Sequence, residues 1–201
     1  MSESTPNPKY YIVLDFEANC SQSQSKDHEI IEFPAQLVDA STGEVLDVFR
    51  EFVRPTNNPT VSEFIHGLTG IEQTSVDDAD EFPEVLARFM EWIGDRATDS
   101  VFVTCGHWDL KTMMPQQCKW SGISIPPLFK SWINLKLEFA AKCYRPVRGS
   151  PLGMAGMIHA AGLELEGRHH SGIDDVKNIT RVLEHMIREG KLAKPTVHTL
   201  A

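Results

Sequence analysis

Tyr10-Tyr11-Ile12-Val13-Leu14-Asp15-Phe16-Glu17 is the stretch on which the fold turns. An apolar, β-rich run of this length reads as a buried strand, and this one ends in two carboxylates. Period-two alternation sets Asp15 and Glu17 on one face and turns Phe16 into the opposite layer. Two acids at the end of a buried strand repel each other and lose hydration, so leaving them uncompensated is costly. A hard divalent cation such as magnesium or manganese removes that objection, because it takes carboxylate oxygens. In a chain with 28 acids an Asp-x-Glu pair is common, so its surroundings decide.

Outward from this strand, Ile30 to Val38 and Val45 to Val53 read as two more strands, joined at Ser41-Thr42-Gly43-Glu44 as a hairpin. Val61 to Leu68 predicts a short helix closed by Thr69-Gly70. Phe82 to Ile93 predicts an amphipathic helix, with Pro83 in its first turn and Val85, Leu86, Phe89 and Ile93 on one face. Val101 to Cys105 reads as a short strand broken at Gly106, followed by a helix from Asp109 to Cys118. Trp132-Ile133-Asn134 reads as a last strand, with helices over Leu135 to Cys143 and Leu152 to Ala161. In the final helix Ile173, Val176, Ile179, Val182, Leu183, Met186 and Ile187 recur at helical spacing until Gly190. Ser171 and Asp174 fit a capping box at its start. Strands first, then strands alternating with helices, indicate one α/β domain with a mixed sheet over residues 9–190. Residues 1–8 and 191–201 read as tails.

Composition narrows the class. A length of 201 residues fits one domain, and 41% hydrophobic with 23% charged residues excludes a disordered chain. The net charge of −9 argues against a general nucleic-acid coat protein. It is compatible with an enzyme whose acids hold metal ions. Cys20, Cys105, Cys118 and Cys143 are too scattered for a zinc knuckle or a disulfide framework and read as free thiols of a reducing compartment. No stretch approaches the ~18 apolar residues of a membrane span, and no secretory signal is visible at the start. The expectation is an intracellular protein of the cytoplasm, with the nucleus as a second compartment, and no membrane partner.

Two further acidic pieces stand at places where ligands collect. Gly106-His107-Trp108-Asp109 directly follows a strand, and in open α/β sheets ligands gather beyond the carboxyl ends of strands. Asp109 there is either a ligand or a helix cap. In His169-His170-Ser171-Gly172-Ile173-Asp174-Asp175, Asp174 has the capping role and Asp175 is free to face elsewhere in the first turn, where a helix favours a carboxylate. His170 lies just outside the helix, and an imidazole of pKa about 6.5 suits a general base near neutrality. His169 and Asp174 read as structural neighbours.

In order these pieces are Asp, Glu, Asp, then His with Asp five residues later. The chain resembles the DEDDh branch of the DEDD 3′–5′ exonucleases, and within it the enhancer-of-RNAi group that includes the histone-mRNA 3′ exonuclease and the prion-protein-interacting exonuclease. The resemblance rests on Asp15-Phe16-Glu17-Ala18-Asn19-Cys20, Ile30-Ile31-Glu32-Phe33-Pro34, Leu68-Thr69-Gly70-Ile71, Trp108-Asp109, Trp132-Ile133-Asn134 and His170-Ser171-Gly172-Ile173-Asp174-Asp175. It runs from Tyr10 to Gly190. Asn19 departs from it, since that branch usually has threonine there, which implies altered contacts near the scissile end.

The resemblance implies a ribonuclease-H-like fold with a mixed five-stranded sheet flanked by helices. It implies that Asp15, Glu17 and Asp175 hold one divalent ion, Mg2+ or Mn2+, and that Asp15 with Asp109, through water, holds a second. His170 would deprotonate the attacking water, releasing nucleoside 5′-monophosphates from a single-stranded or overhanging RNA 3′ end. Leu68 and Trp108 would sandwich the last base, with Phe16 and Ala18 beside the sugar. Lys111, Lys136, Lys142, Arg145 and Arg148 offer a positive edge, the loop from Arg145 to Pro151 foremost. Two rival readings are a nuclease acting mainly on DNA ends and a non-catalytic RNA-binding scaffold.

Overall fold

The opening apolar run folds as two strands. β1 (Tyr10–Leu14) stops before Asp15, and β2 (Glu17–Asn19) resumes after Phe16. In the computed structural model, which describes residues 8–20, 27–144 and 150–200, both pair antiparallel with β3 (Glu29–Asp39). β1 lies along the second half of β3 and β2 along its first. β4 (Val45–Phe52) returns antiparallel on the other side of β3, through the expected hairpin. β5 (Ser100–Thr104) runs parallel to β1, β6 (Ser131–Asn134) parallel to β5, and β7 (Val197–Thr199) antiparallel to β6.

The sheet therefore has seven strands and not five. One extra strand arises because the chain leaves the sheet at Asp15-Phe16 and re-enters it as β2. The other, β7, lies in the segment expected as a C-terminal tail. That segment is docked: Leu192 is buried, and the Thr196 backbone N–H donates to Glu138 Oε1 at 2.9 Å.

Helices cover both faces. α3 (Phe82–Ile93) and α4 (Met114–Trp120) pack one face against Ile12, Leu14, Phe33, Phe49 and Phe102. Phe33 and Phe89 stack there with centroids 4.6 Å apart. On the other face α7 (Gly172–Arg188), with α5 (Leu135–Lys142) and α6 (Met154–Ala160), covers Tyr11, Val13, Val38 and Val103. Each such buried side chain contributes about 1.5–3 kcal/mol relative to exposure. A smaller cluster of Ile31, Ile65, Ile71 and Val76 seats α1 (Glu63–Thr69) and α2 (Gln73–Asp77) beside the first half of β3.

Two local expectations are corrected. The helix expected from Asp109 opens as a π-helical turn over Trp108–Met113, a distortion found mostly at functional sites. Ser171 is at the N-cap position of α7, but its side chain caps nothing and the capping box does not form. Asp174 instead accepts the Arg168 backbone N–H at 3.1 Å.

Candidate active site

β1 and β5 are parallel neighbours, so their carboxyl ends share one edge of the sheet. Asp15 follows β1 directly, and Asp109 follows β5 after the turn at Gly106. The Phe16 backbone N–H donates to Asp109 Oδ1 at 3.0 Å, joining the two strand ends. The Phe16 ring packs in the core, edge-on to Phe33 at 4.9 Å, so only its backbone faces the site. α7 brings in the last acid: ligand atoms of Asp15, Glu17 and Asp175 lie within 4.8 Å of one another.

This grouping is electrostatically unfavourable by itself. Among the described residues no Lys or Arg pairs with Asp15, Glu17, Asp109 or Asp175. Protein packed around Asp15 strips its hydration, and Asp109, Glu17 and Asp175 repel it, so its pKa stands well above the ordinary value. Burial, then repulsion from Glu32, Asp175 and Asp109, pushes Glu17 up to about 9. Burial also raises Asp109 and Asp175, against the lowering effect of the Phe16 and His170 backbone N–H groups. Asp175 Oδ1 is buried without a hydrogen-bond partner. Repelling, desolvated carboxylates with one orphaned oxygen fit divalent cations and little else.

His170 stands at the lip of this cluster. Its backbone φ is +68°, a strained conformation for a non-glycine residue, and its N–H donates to Asp175 Oδ2 at 3.0 Å. Burial and the neighbouring His169 lower its pKa, while Asp175 opposes them. The five residues read from the sequence as the chemical set are thus gathered at one place.

The residues expected to form a base pocket lie on three elements. Trp108 projects from the π-helical turn, 39% exposed, with His28 edge-on at 5.5 Å. Leu68 on α1 and Ala18 on β2 are half-buried. Phe64, one turn before Leu68 and on the same helical face, is 53% exposed; the sequence reading passed over it, although an i, i+4 apolar pair was its signal.

Of the expected basic edge, Lys111 is exposed and Lys136 runs beside Gly106. Lys142 is committed elsewhere, to Glu138 Oε2 at 2.6 Å and the Ala193 carbonyl at 3.2 Å. Arg145 and Arg148 lie outside the described residues.

Supporting contacts hold the walls. Asn19, buried on β2, donates to the carbonyl oxygens of Asn58 and Thr60 at 2.7 and 2.8 Å. It therefore anchors the approach to α1. Glu29 gathers the same loop by accepting the backbone N–H groups of Thr56, Asn57 and Asn58. Glu32 pairs with Arg50 at 2.7 Å and stands against Gly172 at the start of α7. Asn178, fully buried on α7, donates to the Glu166 and Asp174 carbonyls and fixes the loop that carries His170.

Comparison with known proteins agrees with this arrangement. The chain is 40% identical over 194 residues to the human protein named ERI1 exoribonuclease 3, covering 93% of this chain and 56% of that one. It is 37% identical over 199 residues to the mouse 3'-5' exoribonuclease 1, covering 94% and 57% respectively. It therefore spans little more than half the length of these curated relatives. The solved nuclease domain of 3'hExo, a DEDDh family member bound to rAMP, superposes with a TM-score of 0.86 at 32% identity. That match covers 98% of this chain and all of the other. A profile described as exonuclease, of RNase T type, matches residues 12–183, both strand ends and the start of α7 included, and the chain belongs to that exonuclease family.

Proposed function

We propose that this chain is a metal-dependent 3′–5′ exoribonuclease that releases nucleoside 5′-monophosphates. The observation that supports it most is the convergence of Asp15, Glu17 and Asp175 around an orphaned carboxylate oxygen, with His170 tied to the same aspartate. Asp15, Glu17 and Asp175 would hold one Mg2+ or Mn2+, and Asp15 with Asp109 a second. Bound there, such ions supply positive charge to the attacking and leaving oxygens of an in-line displacement.

The chain's own groups do the rest. Asp175 Oδ2 holds the His170 backbone, so the imidazole is presented toward the carboxylates, and His170 accepts the proton of the attacking water. The water oxygen bonds to phosphorus, the bond to the preceding 3′ oxygen breaks, and that departing oxygen takes a proton from solvent water. Products are a 5′-monophosphate and an RNA one nucleotide shorter with a 3′-hydroxyl. Trp108 on one side, and Leu68 with Phe64 on the other, offer apolar faces for the terminal base. Stacking tolerates any base at roughly 1–3 kcal/mol each, so the pocket recognises an end and not a sequence.

The proposal places this activity on single-stranded or overhanging RNA in the cytoplasm or nucleus, where its four free cysteines stay reduced. The test is 3′-labelled RNA and DNA of one sequence, incubated side by side with Mg2+ or Mn2+. Monophosphate release from RNA, abolished by Asp15→Ala, is expected. Faster release from DNA would reassign the substrate, and metal-independent binding without cleavage would make the chain a scaffold.

A further inference from the structure

The hydrolytic scheme employs His170 and has no work for His169. Yet the two rings stack, with centroids 3.9 Å apart and 19° between their planes, and both are exposed. One donor atom from each, with one carboxylate oxygen of Asp175, lies within 4.8 Å of the others. Asp175 is only 4% exposed and its Oδ1 has no hydrogen-bond partner, so the carboxylate that closes this set keeps an unused acceptor in a buried place.

Two imidazole nitrogens and one carboxylate oxygen form a different donor set from the all-oxygen cluster beside it. Magnesium and manganese prefer oxygen, whereas imidazole suits zinc. Three protein ligands and a water complete the tetrahedron of an open zinc site. Zinc–nitrogen bonds of about 2.0–2.1 Å hold their donors well inside that 4.8 Å bound, and exposed histidine rings can reach such spacing by side-chain rotation.

We propose that His169, His170 and Asp175 form a zinc-class site antagonistic to the hydrolytic metals. The ion would take the ring nitrogen that His170 needs for accepting a proton. It would also take an oxygen of Asp175, the residue shared with the Asp15 and Glu17 group. His169 is the residue that makes the set bidentate in nitrogen, so it determines sensitivity to zinc without acting in hydrolysis. The consequence for RNA hydrolysis rests on the nuclease reading; the binding and its antagonism to manganese do not.

The test uses the full chain without RNA. Zinc is titrated calorimetrically in millimolar Mg2+, and Mn2+ occupancy is followed by electron paramagnetic resonance as zinc is added. One zinc per chain is expected, with manganese released as it binds. His169→Phe keeps a ring to stack on His170 but offers no donor, and it should weaken zinc binding by about tenfold or more. At a pH above the His170 titration, the same variant should hydrolyse RNA normally in Mg2+ and shift half-inhibition by zinc by that factor. Unchanged zinc affinity in His169→Phe overturns the proposal, as does zinc binding that leaves manganese in place. If the wild-type chain cleaves no RNA while His169-dependent zinc binding displaces manganese, the antagonistic site holds and the nuclease reading is what falls.

Discussion

Arg168 Nη2 donates to the Gly67 carbonyl oxygen at 2.6 Å, tying the segment that carries His170 to the helix that carries Leu68. The guanidinium lies over Gly70, whose φ of +78° ends α1 and whose missing side chain leaves the room. This bond thus links the proposed general base to the helix that carries one proposed wall of the base pocket. Because Arg168 is exposed, Arg168→Ala should cost no more than about 1 kcal/mol of stability. Its effect on kcat/KM should be larger, about tenfold to a hundredfold, because small displacements of reacting groups are costly. Steady-state kinetics on a short RNA checks this, with partial recovery expected for Arg168→Lys. An unaltered kcat/KM would mean the tie is idle.

Gly172 is where α7 touches the acids. A Cβ there would stand 2.9 Å from Pro34 Cγ, 3.0 Å from Glu32 Oε2 and 3.1 Å from Glu17 Cγ. Elsewhere in a helix, Gly→Ala is favourable by up to about 1 kcal/mol. Here it should destabilise by about 1–3 kcal/mol, because Pro34 is rigid and the helix or Glu17 must shift. Thermal melts and manganese titrations of Gly172→Ala are expected to show a lower Tm and weaker metal binding together. A higher Tm with full affinity would show that the contact relaxes freely.

Lys136 is the cation at the rim. It runs beside Gly106, and its charge reaches Cys105, which also feels Asp15, Asp109 and Asp175. Among the described residues it has no ion-pair partner. If it contacts one phosphate, Lys136→Ala should weaken RNA binding at low salt and reduce the slope of log K against log salt by about 0.7. Binding measured in the His170→Ala background, so that RNA is not consumed, decides the matter. An unchanged slope removes Lys136 from the interface.

What the sequence discloses and what it hides follow physical lines. α3 and α7 are legible because each buries a long face that enforces period 3.6, β3 because it is a long run buried on both faces, and β4 because turn residues join it to β3 as a hairpin. The break after β1 is hidden, because Phe16 continues the apolar run although its backbone has left the sheet for Asp109. α2 and β7 are too short for any period to register. The chemical residues can be found by their order at strand ends and a helix start. Their supports cannot: Arg168, Gly172 and Glu32 matter through contacts between distant segments that no local pattern encodes. Asp174 shows the hazard of a local pattern. It matches a capping box, yet the Arg168 N–H and Lys177 engage its carboxylate instead.

His170 should govern the acid limb of the activity profile. Burial and His169 lower its pKa from the usual 6.5 against the opposing Asp175, so the imidazole gives up its proton in more acidic solution than a free histidine does. With metal saturating, kcat should rise with pH through a midpoint below 6.5 and then level. His170→Ala should remove that limb and reduce kcat by about a hundredfold or more while leaving manganese affinity nearly intact. A profile that keeps its limb in His170→Ala would move the base to another group.

Stability of the metal-free chain should fall as pH rises. The sign comes from Glu17, whose folded pKa of about 9 exceeds the ordinary 4.5, so the folded state binds the extra proton. Its contribution is complete below about pH 4.5 and lost as pH climbs through about 9. Asp15 shifts in the same direction. Among groups with lowered values, Asp39, Asp174 and Glu138 act in the opposite sense only in more acidic solution, below their ordinary values, whereas His107 and His170 oppose the trend at the acidic end of the window, up to about their ordinary 6.5, so the fall is read above that pH. Divalent ions reverse the balance by holding the carboxylates ionised, and the Tm gained on adding Mn2+ should therefore widen from pH 5 toward pH 9. Glu17→Gln, neutral at every pH and nearly the same shape, should flatten the metal-free slope and lose most of the manganese response. A metal-free Tm that rises across this window would show that the acids are already neutralised in the folded chain.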